Sequence, residues 1–223
     1  MTRDLARLVD LSHSFGNGSG AYPGLPEPVV RDHLSFEASQ GHYADGTEFS
    51  IKAIEMVANT GTYLDTPAHR FREGFDLAEL PLEVLANVPG VVFDAAGPAI
   101  DIEPSEVEGM AVLLRTGWSR HWGTDSYSGG GHPYLTRRTA EALVAGSARV
   151  VGIDSVNIDD TSDGTRPAHT TLLAAGIPIV EHLTNLEALP QSGFTFFAVP
   201  PRFEGVGTFP VRAFALVPFR GNP

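Results

Sequence analysis

Asn59-Thr60-Gly61-Thr62-Tyr63-Leu64-Asp65-Thr66-Pro67-Ala68-His69-Arg70 is the stretch on which the reading of this chain turns. It brings a carboxamide, a phenol, a carboxylate and an imidazole into one short segment. Gly61 and Pro67 interrupt it, so neither a helical face nor the unbroken alternation of a strand describes it. Thr66 precedes a proline and is pushed toward an extended backbone. On such a backbone Asp65, Pro67 and His69 share one face, which predicts that the carboxylate and the imidazole converge on one pocket. The competing reading is a surface loop in which Asp65 caps a turn and His69 is solvated.

Outward from this stretch, residues 48–57 alternate, with Phe49, Ile51 and Ala53 on one parity, and predict a strand leading into it. Residues 16–28 form a loop rich in Gly and Pro, with a turn signal at Pro23-Gly24 and Tyr22 beside it. Compact apolar runs at 90–94, 110–116, 149–154, 177–181, 194–199 and 212–217 predict buried strands. Residues 75–85 look helical and acidic, 101–108 read as a short helix or turn, and 172–175 as a helical piece. Residues 135–145 predict an amphipathic helix with Thr136 as N-cap and Gly146 as its stop. Strands alternating with helices give an α/β single domain, residues 1–223, with a mixed sheet.

Composition narrows the function. The formal net charge of −12 disfavours nucleic acid and anionic membrane surfaces, because binding phosphate needs a surplus of Lys and Arg. With no cysteine there is no disulfide, thiolate metal site or Cys nucleophile, so any metal falls to His, Asp, Glu and other N or O ligands. No apolar run approaches the roughly 20 residues of a membrane span, and the first ten residues lack an apolar h-region. Those features predict a cytoplasmic chain.

Two downstream residues join the opening stretch. His169 and Glu181 flank the segment Leu-Leu-Ala-Ala-Gly-Ile-Pro-Ile-Val, and Glu181 ends a buried strand, where α/β folds place ligands. A buried Glu needs a cation, a donor or water, and Arg212 is the structural alternative. Asp154 and Asp159, in Gly-Ile-Asp-Ser-Val-Asn-Ile-Asp-Asp, also follow a strand, with Asp154 read as structural. Trp118, Trp122 and Tyr127 lie in a polar, Gly-rich stretch and predict either an aromatic wall for a flat substrate or a subunit interface. His13 and His132 are not taken as ligands, and His33, His42, His121 and His182 are read as surface or packing residues.

Here the residues carry a resemblance. The signature H-x-G-T-H-x-D-x-P-x-H of the cyclase family of metal-dependent hydrolases, which includes bacterial kynurenine formamidase and isatin hydrolase, aligns with Asn59 to His69. Supporting matches include Val9-Asp10-Leu11-Ser12, Leu114-Arg115-Thr116-Gly117-Trp118, His132-Pro133-Tyr134, Ile179-Val180-Glu181 and Pro210-Val211-Arg212-Ala213. The resemblance implies a swivelling β/β/α fold, assembly as a homodimer or homotetramer, one or two divalent metals, and hydrolysis of small amides, lactams or related molecules. It also implies that Asp65, His169 and Glu181 are metal ligands and that His69 moves protons. The two remaining ligand positions hold Asn59 and Tyr63 instead of histidine.

That replacement leaves three chemistries open. In the first, one Mn, Zn or Mg ion is held by Asp65, His169 and Glu181, with Asn59 as a further oxygen ligand, while His69 and Tyr63 act in catalysis on a small-molecule amide, lactam or lactone. In the second, no metal is used and His69 with Asp65 or Glu181 runs a cyclisation, a dehydration or a lactone opening by acid–base catalysis, with Tyr63 as an acid or an oxyanion donor. In the third, the fold binds a small ligand without turnover. Tyr22, Trp118 and Trp122 are the expected substrate contacts.

Overall fold

The computed structural model describes residues 6–20, 22, 24–95 and 97–219; Pro23, half of the expected Pro23-Gly24 turn, lies outside the described residues. In chain order, β1 (Ala6–Asp10) is followed by a hairpin of β2 (Val29–Leu34) and β3 (Ile51–Glu55), with helix α1 (Phe36–Ser39) between them. The short β4 (Tyr63–Asp65) leads through a 3-10 turn, Pro67–His69, to β5 (Val88–Asp94), β6 (Ala99–Ile100) and β7 (Ala111–Arg115). Next come α2 (Asp125–Ser128), β8 (Tyr134–Leu135), α3 (Arg137–Ala145), β9 (Val150–Ile153), α4 (Pro167–Ala174) and β10 (Ile179–Glu181). β11 (Ser192–Phe197), β12 (Thr208–Pro210) and β13 (Phe214–Pro218) follow.

Nine strands form one mixed sheet, ordered β1-β13-β11-β5-β7-β9-β10-β4-β12. Its centre, β5-β7-β9-β10, is parallel, and the strands on either side pair antiparallel. Strand β7 shows why these runs are continuously apolar. Ala111 and Leu113 pack into one core with Leu64, Val180 and Phe196, whereas Val112 and Leu114 pack into a second with Val151, Leu143 and Leu172. Alternate side chains of a strand point to opposite faces, so a sheet covered on both sides needs apolar residues at every position. The mixed α/β architecture is the one read from the sequence. Among the described residues no helix is long and apolar enough to cross a membrane.

Helix α3 has the expected caps: the Thr136 side chain accepts from the Thr139 amide, and Gly146 ends it. Helix α4 begins well before the predicted piece at 172–175. Pro167 occupies its first turn, and the Asp159 carboxylate accepts the Ala168 and His169 amides at 2.6 and 3.1 Å. This longer helix puts His169 on a buried helical turn. Residues 75–85 form no α-helix, only a 3-10 turn at Leu82–Val84 anchored by buried Leu77 and Leu85, and 101–108 form none either. The alternation at 48–57 marks no buried face: β3 pairs only with β2, leaving Phe49, Ile51 and Ile54 exposed.

Nor do Asp65, Pro67 and His69 share an extended face. Pro67–His69 is a 3-10 turn, which swings the imidazole back toward β4. Two glycines make room for that turn. A Cβ on Gly207 would lie 2.4 Å from the His69 amide nitrogen, and one on Gly74 would lie 2.4 Å from the Pro67 carbonyl carbon. Backbone atoms cannot escape by changing rotamer. Gly207→Ala is therefore expected to destabilise the protein by roughly 1–3 kcal/mol, read as a lower urea midpoint. An unchanged midpoint would show that the turn is free to move.

Candidate active site

Strand β4 lies between β10 and β12, and its register builds the site. Tyr63 stands opposite Glu181 and Pro210, and Asp65 opposite Ile179 and Thr208. Leu64 points the other way, into the core. Directly opposed side chains on neighbouring strands meet. Accordingly the Tyr63 hydroxyl donates to Glu181 Oε2 at 2.5 Å, and the Thr208 hydroxyl donates to Asp65 Oδ1 at 2.5 Å.

The Thr208 oxygen also lies 2.7 Å from His69 Nδ1. A hydroxyl has one proton, and here Asp65 takes it. His69 Nδ1 therefore carries the hydrogen it gives to Thr208, which leaves Nε2 of the neutral ring as the base. The imidazole is 34% exposed, enough for a substrate to reach it.

His169 closes the site from α4. Its Nδ1 lies 2.6 Å from Asp159 Oδ2, and its Nε2 is 3.6 Å from Asp65 Oδ2 and 3.8 Å from Glu181 Oε1. Burial works against a charge on this ring, but the hydrogen bond to Asp159 and the nearby Asp65 and Glu181 carboxylates overcome it and raise its pKa to about 10. Burial likewise opposes ionisation of Asp65, yet the neighbouring His169 and His69 imidazoles and the Thr208 hydroxyl hold its carboxyl below the usual range. Glu181, which also accepts the Ile158 amide at 2.6 Å, is pushed up to about 7 by burial and, after that, by the nearby Asp65 charge.

The donor set fits a divalent cation. Asp65, His69 and His169 each offer a ligand atom within 4.8 Å of the others. Asp65 Oδ2 is buried with no hydrogen-bond partner, a costly state for a carboxylate oxygen unless a cation meets it. Donors around a tetrahedral ion with bonds of roughly 2.0–2.2 Å stand roughly 3.3–3.6 Å apart, close to the spacing of His169 Nε2 from Asp65 and Glu181. The Asp159–His169 pair is the carboxylate support that orients an imidazole for a metal.

A cleft of about 280 Å³ opens over these groups, lined among others by Tyr22, Asn59, Tyr63, Arg166, His169 and Glu181. The structure thus brings Tyr22, Asn59, Tyr63, Asp65, His69, His169 and Glu181 together. Asn59 interacts with the Tyr63 hydroxyl. The two residues standing at the histidine positions are therefore neighbours, and Tyr63 carries the contact on to Glu181. Arg212 is not the partner of Glu181; it pairs with Asp10 at 2.6 Å. Asp154 caps the end of β7 by accepting the Thr116 and Gly117 amides.

Trp118 and Trp122 do not line this cleft. The Trp118 indole donates to the Tyr127 carbonyl at 3.1 Å, and Trp122 stacks on His13 at 4.1 Å. Trp122 also meets Tyr127 and His182 edge-on and belongs to a second hollow with Gly18, Gly20 and Asp125. Sequence reasoning missed Thr208, Arg166 and Asn157, and did not assign Asp159 to His169. Only Asp159 left a trace, as a carboxylate shortly before the Pro167 helix start.

His182 sits between this aromatic cluster and Tyr63, 1% exposed, with neither ring nitrogen in hydrogen-bond geometry and the Val156 backbone nearby. Burial, reinforced by His13, lowers its pKa to about 3. An unfolded His takes up a proton near pH 6.5 while this folded one does not, so stability falls as pH drops below that value. Between pH 7 and pH 5 the loss is about 2 kcal/mol. The stability gap between the native chain and His182→Gln in urea should narrow by that amount. A constant gap would mean that His182 is protonated in the fold.

Comparison with known proteins adds independent observations. The family described as "Putative cyclase" matches residues 9–160. Kynurenine formamidase of Salinibacter ruber (strain DSM 13855 / M31) is 26% identical over 212 residues, covering 92% of this chain and 95% of the relative. The kynurenine formamidase of Bacillus thuringiensis (strain Al Hakam) is 26% identical over 210 residues, with the same coverage. An isatin hydrolase bound to the product analogue thioisatinate superposes with a TM-score of 0.80 at 22% identity, over 96% of this chain and 93% of the other. A potential metal-dependent hydrolase with cyclase activity superposes at 0.75 and 24% identity, over 98% of this chain and 100% of the other. At these identities the structures establish the fold.

Proposed function

The chain belongs to the cyclase family, and from that premise we propose that it hydrolyses a C–N bond of a small-molecule amide or lactam, with His69 as general acid–base. One observation carries this reading. Asp65, His69 and His169 converge at the floor of an open cleft, with Asp65 Oδ2 buried and unpartnered. The kynurenine formamidase relatives support the amide bond as target.

Asp65, His169 and Glu181 would hold a divalent cation, which when bound polarises a carbonyl and acidifies water. His69 Nε2 takes the proton of the attacking water as the new C–O bond forms. It then gives that proton to the departing nitrogen as the C–N bond breaks, so the ring ends in its starting state. Thr208 and Asp65 hold Nδ1 throughout, fixing which nitrogen is the base. Tyr63 acts on Glu181 and not on the substrate, because its only proton is committed to that carboxylate. Burial raises the phenol well above its ordinary pKa, so it stays a donor.

The metal-free acid–base reading draws on one feature. A protonated His169 between Asp159, Asp65 and Glu181 already supplies a positive charge at the floor. Metal analysis of protein purified without added metal, followed by chelation and assay on a panel of formamides and lactams, separates the two. The proposal expects bound metal, loss of turnover on chelation and recovery with Mn²⁺ or Zn²⁺. Turnover that survives chelation would favour the acid–base reading, and the absence of any His69-dependent turnover would overturn both. The exposed apolar residues Val29, Ile51 and Ile54 of the β2–β3 hairpin support assembly with a second copy, to be read from the mass in solution.

A further inference from the structure

Arg115 and Arg166 are the arginines among the described residues that are not exposed. Arg115 is bidentate to Asp94. Arg166 stands in the cleft, and among the described residues no carboxylate lies within the 4.0 Å of an ion pair. Its partners are neutral. Nη1 donates to Asn157 Oδ1 at 2.7 Å, and the guanidinium lies beside the Tyr22 phenol. A guanidinium has five N–H donors in a planar fork, so most of them are left for something else. In a chain of net charge −12, a half-buried cation without an anion is an unfilled position.

Its backbone points the same way. Arg166 has φ +50 and ψ +61, a left-handed conformation that costs a non-glycine residue energy. It immediately precedes Pro167, the start of the helix that carries His169. The bend puts a second guanidinium, besides that of Arg70, over the cleft that Tyr22, His69 and Glu181 line.

We propose that Arg166, steadied by Asn157 and Tyr22, binds a carboxylate of the substrate, so that the substrates are anionic amides or lactams carrying an acid group near the scissile bond. This rests on the hydrolase reading of the cleft. The planar fork matches a carboxylate bidentately, and partial burial weakens screening by salt. With Arg166 and His69 lining one cleft, an anionic substrate takes one orientation, carboxylate at Arg166 and amide at His69.

The test uses 2-formamidobenzoate and its neutral isostere 2-formamidobenzamide, which share the scissile bond. Binding is measured by calorimetry on His69→Ala protein, which removes the general base, and turnover on the native chain. The benzoate should bind roughly 10- to 100-fold more tightly. Arg166→Met should erase the preference, and Arg166→Lys should keep part of it. Equal binding of the two probes, no binding of either, or an equal loss for both in Arg166→Met would overturn the inference. A preference for the benzoate without turnover of either probe by the native chain would leave the Arg166 assignment standing and overturn the hydrolase reading.

Discussion

Asp65→Asn is expected to abolish metal uptake and to lower kcat/KM for amide hydrolysis by roughly 10³-fold or more, while the chain remains folded. The two side chains have the same shape, so no cavity opens in a position that is fully buried. What disappears is the charge. Asp65 is the carboxylate that faces both His69 and His169, and its Oδ2 has no other partner. If the asparagine keeps its oxygen toward Thr208, its NH₂ points at His169 Nε2, and a donor stands where a cation's ligand stood. Loss of roughly 10³ in rate corresponds to about 4 kcal/mol of barrier. Metal content by mass spectrometry and steady-state rates on a formamide decide the matter. A variant keeping one metal per chain, or a tenth of the native rate, would remove Asp65 from the centre of the site.

His69→Ala is expected to cost roughly 10²- to 10⁴-fold in kcat, the usual contribution of one general acid–base group. Metal content should be unchanged, because Asp65, His169 and Glu181 remain. Joint loss of metal and rate would instead make His69 a ligand, a role its place in the Asp65–His69–His169 group also permits. Thr208 refines the prediction. Thr208→Val removes the hydroxyl that bridges Asp65 and His69 and should cost roughly tenfold in kcat with KM little altered. Thr208→Ser keeps the hydroxyl and should restore most of the rate. A valine variant as active as the serine one would show that the bridge is incidental.

What the sequence revealed and what it concealed follow from the range of the interactions. Strands β5, β7, β9 and β10 are legible because burial on both faces demands unbroken apolar runs, and α3 is legible because its caps, Thr136 and Gly146, immediately flank it. The start of α4 was hidden, since the carboxylate that caps it, Asp159, belongs to the preceding loop. Asp65, His69, His169 and Glu181 stood out through their spacing and the family signature. Thr208 did not, because a threonine in a strand is ordinary until the register sets it opposite Asp65. Arg166 was silent for a related reason. Its meaning lies in having no carboxylate beside it among the described residues, which no sequence pattern records. The tryptophans misled by composition, which registers aromatic residues without saying which hollow they line.

The placement of β4 between two strands from far later in the chain also bears on how the protein is made. Asp65 and the hydroxyl that holds it are 143 residues apart in sequence. As the polypeptide is synthesised, the acidic and imidazole groups of the opening stretch emerge early, and β10 and then β12 arrive to frame them long afterwards. Contacts of such separation form late, once most of the sheet is in place. A partly made chain therefore carries the reactive side chains without the geometry that tunes them, and the chemistry of the cleft switches on only as folding reaches its end.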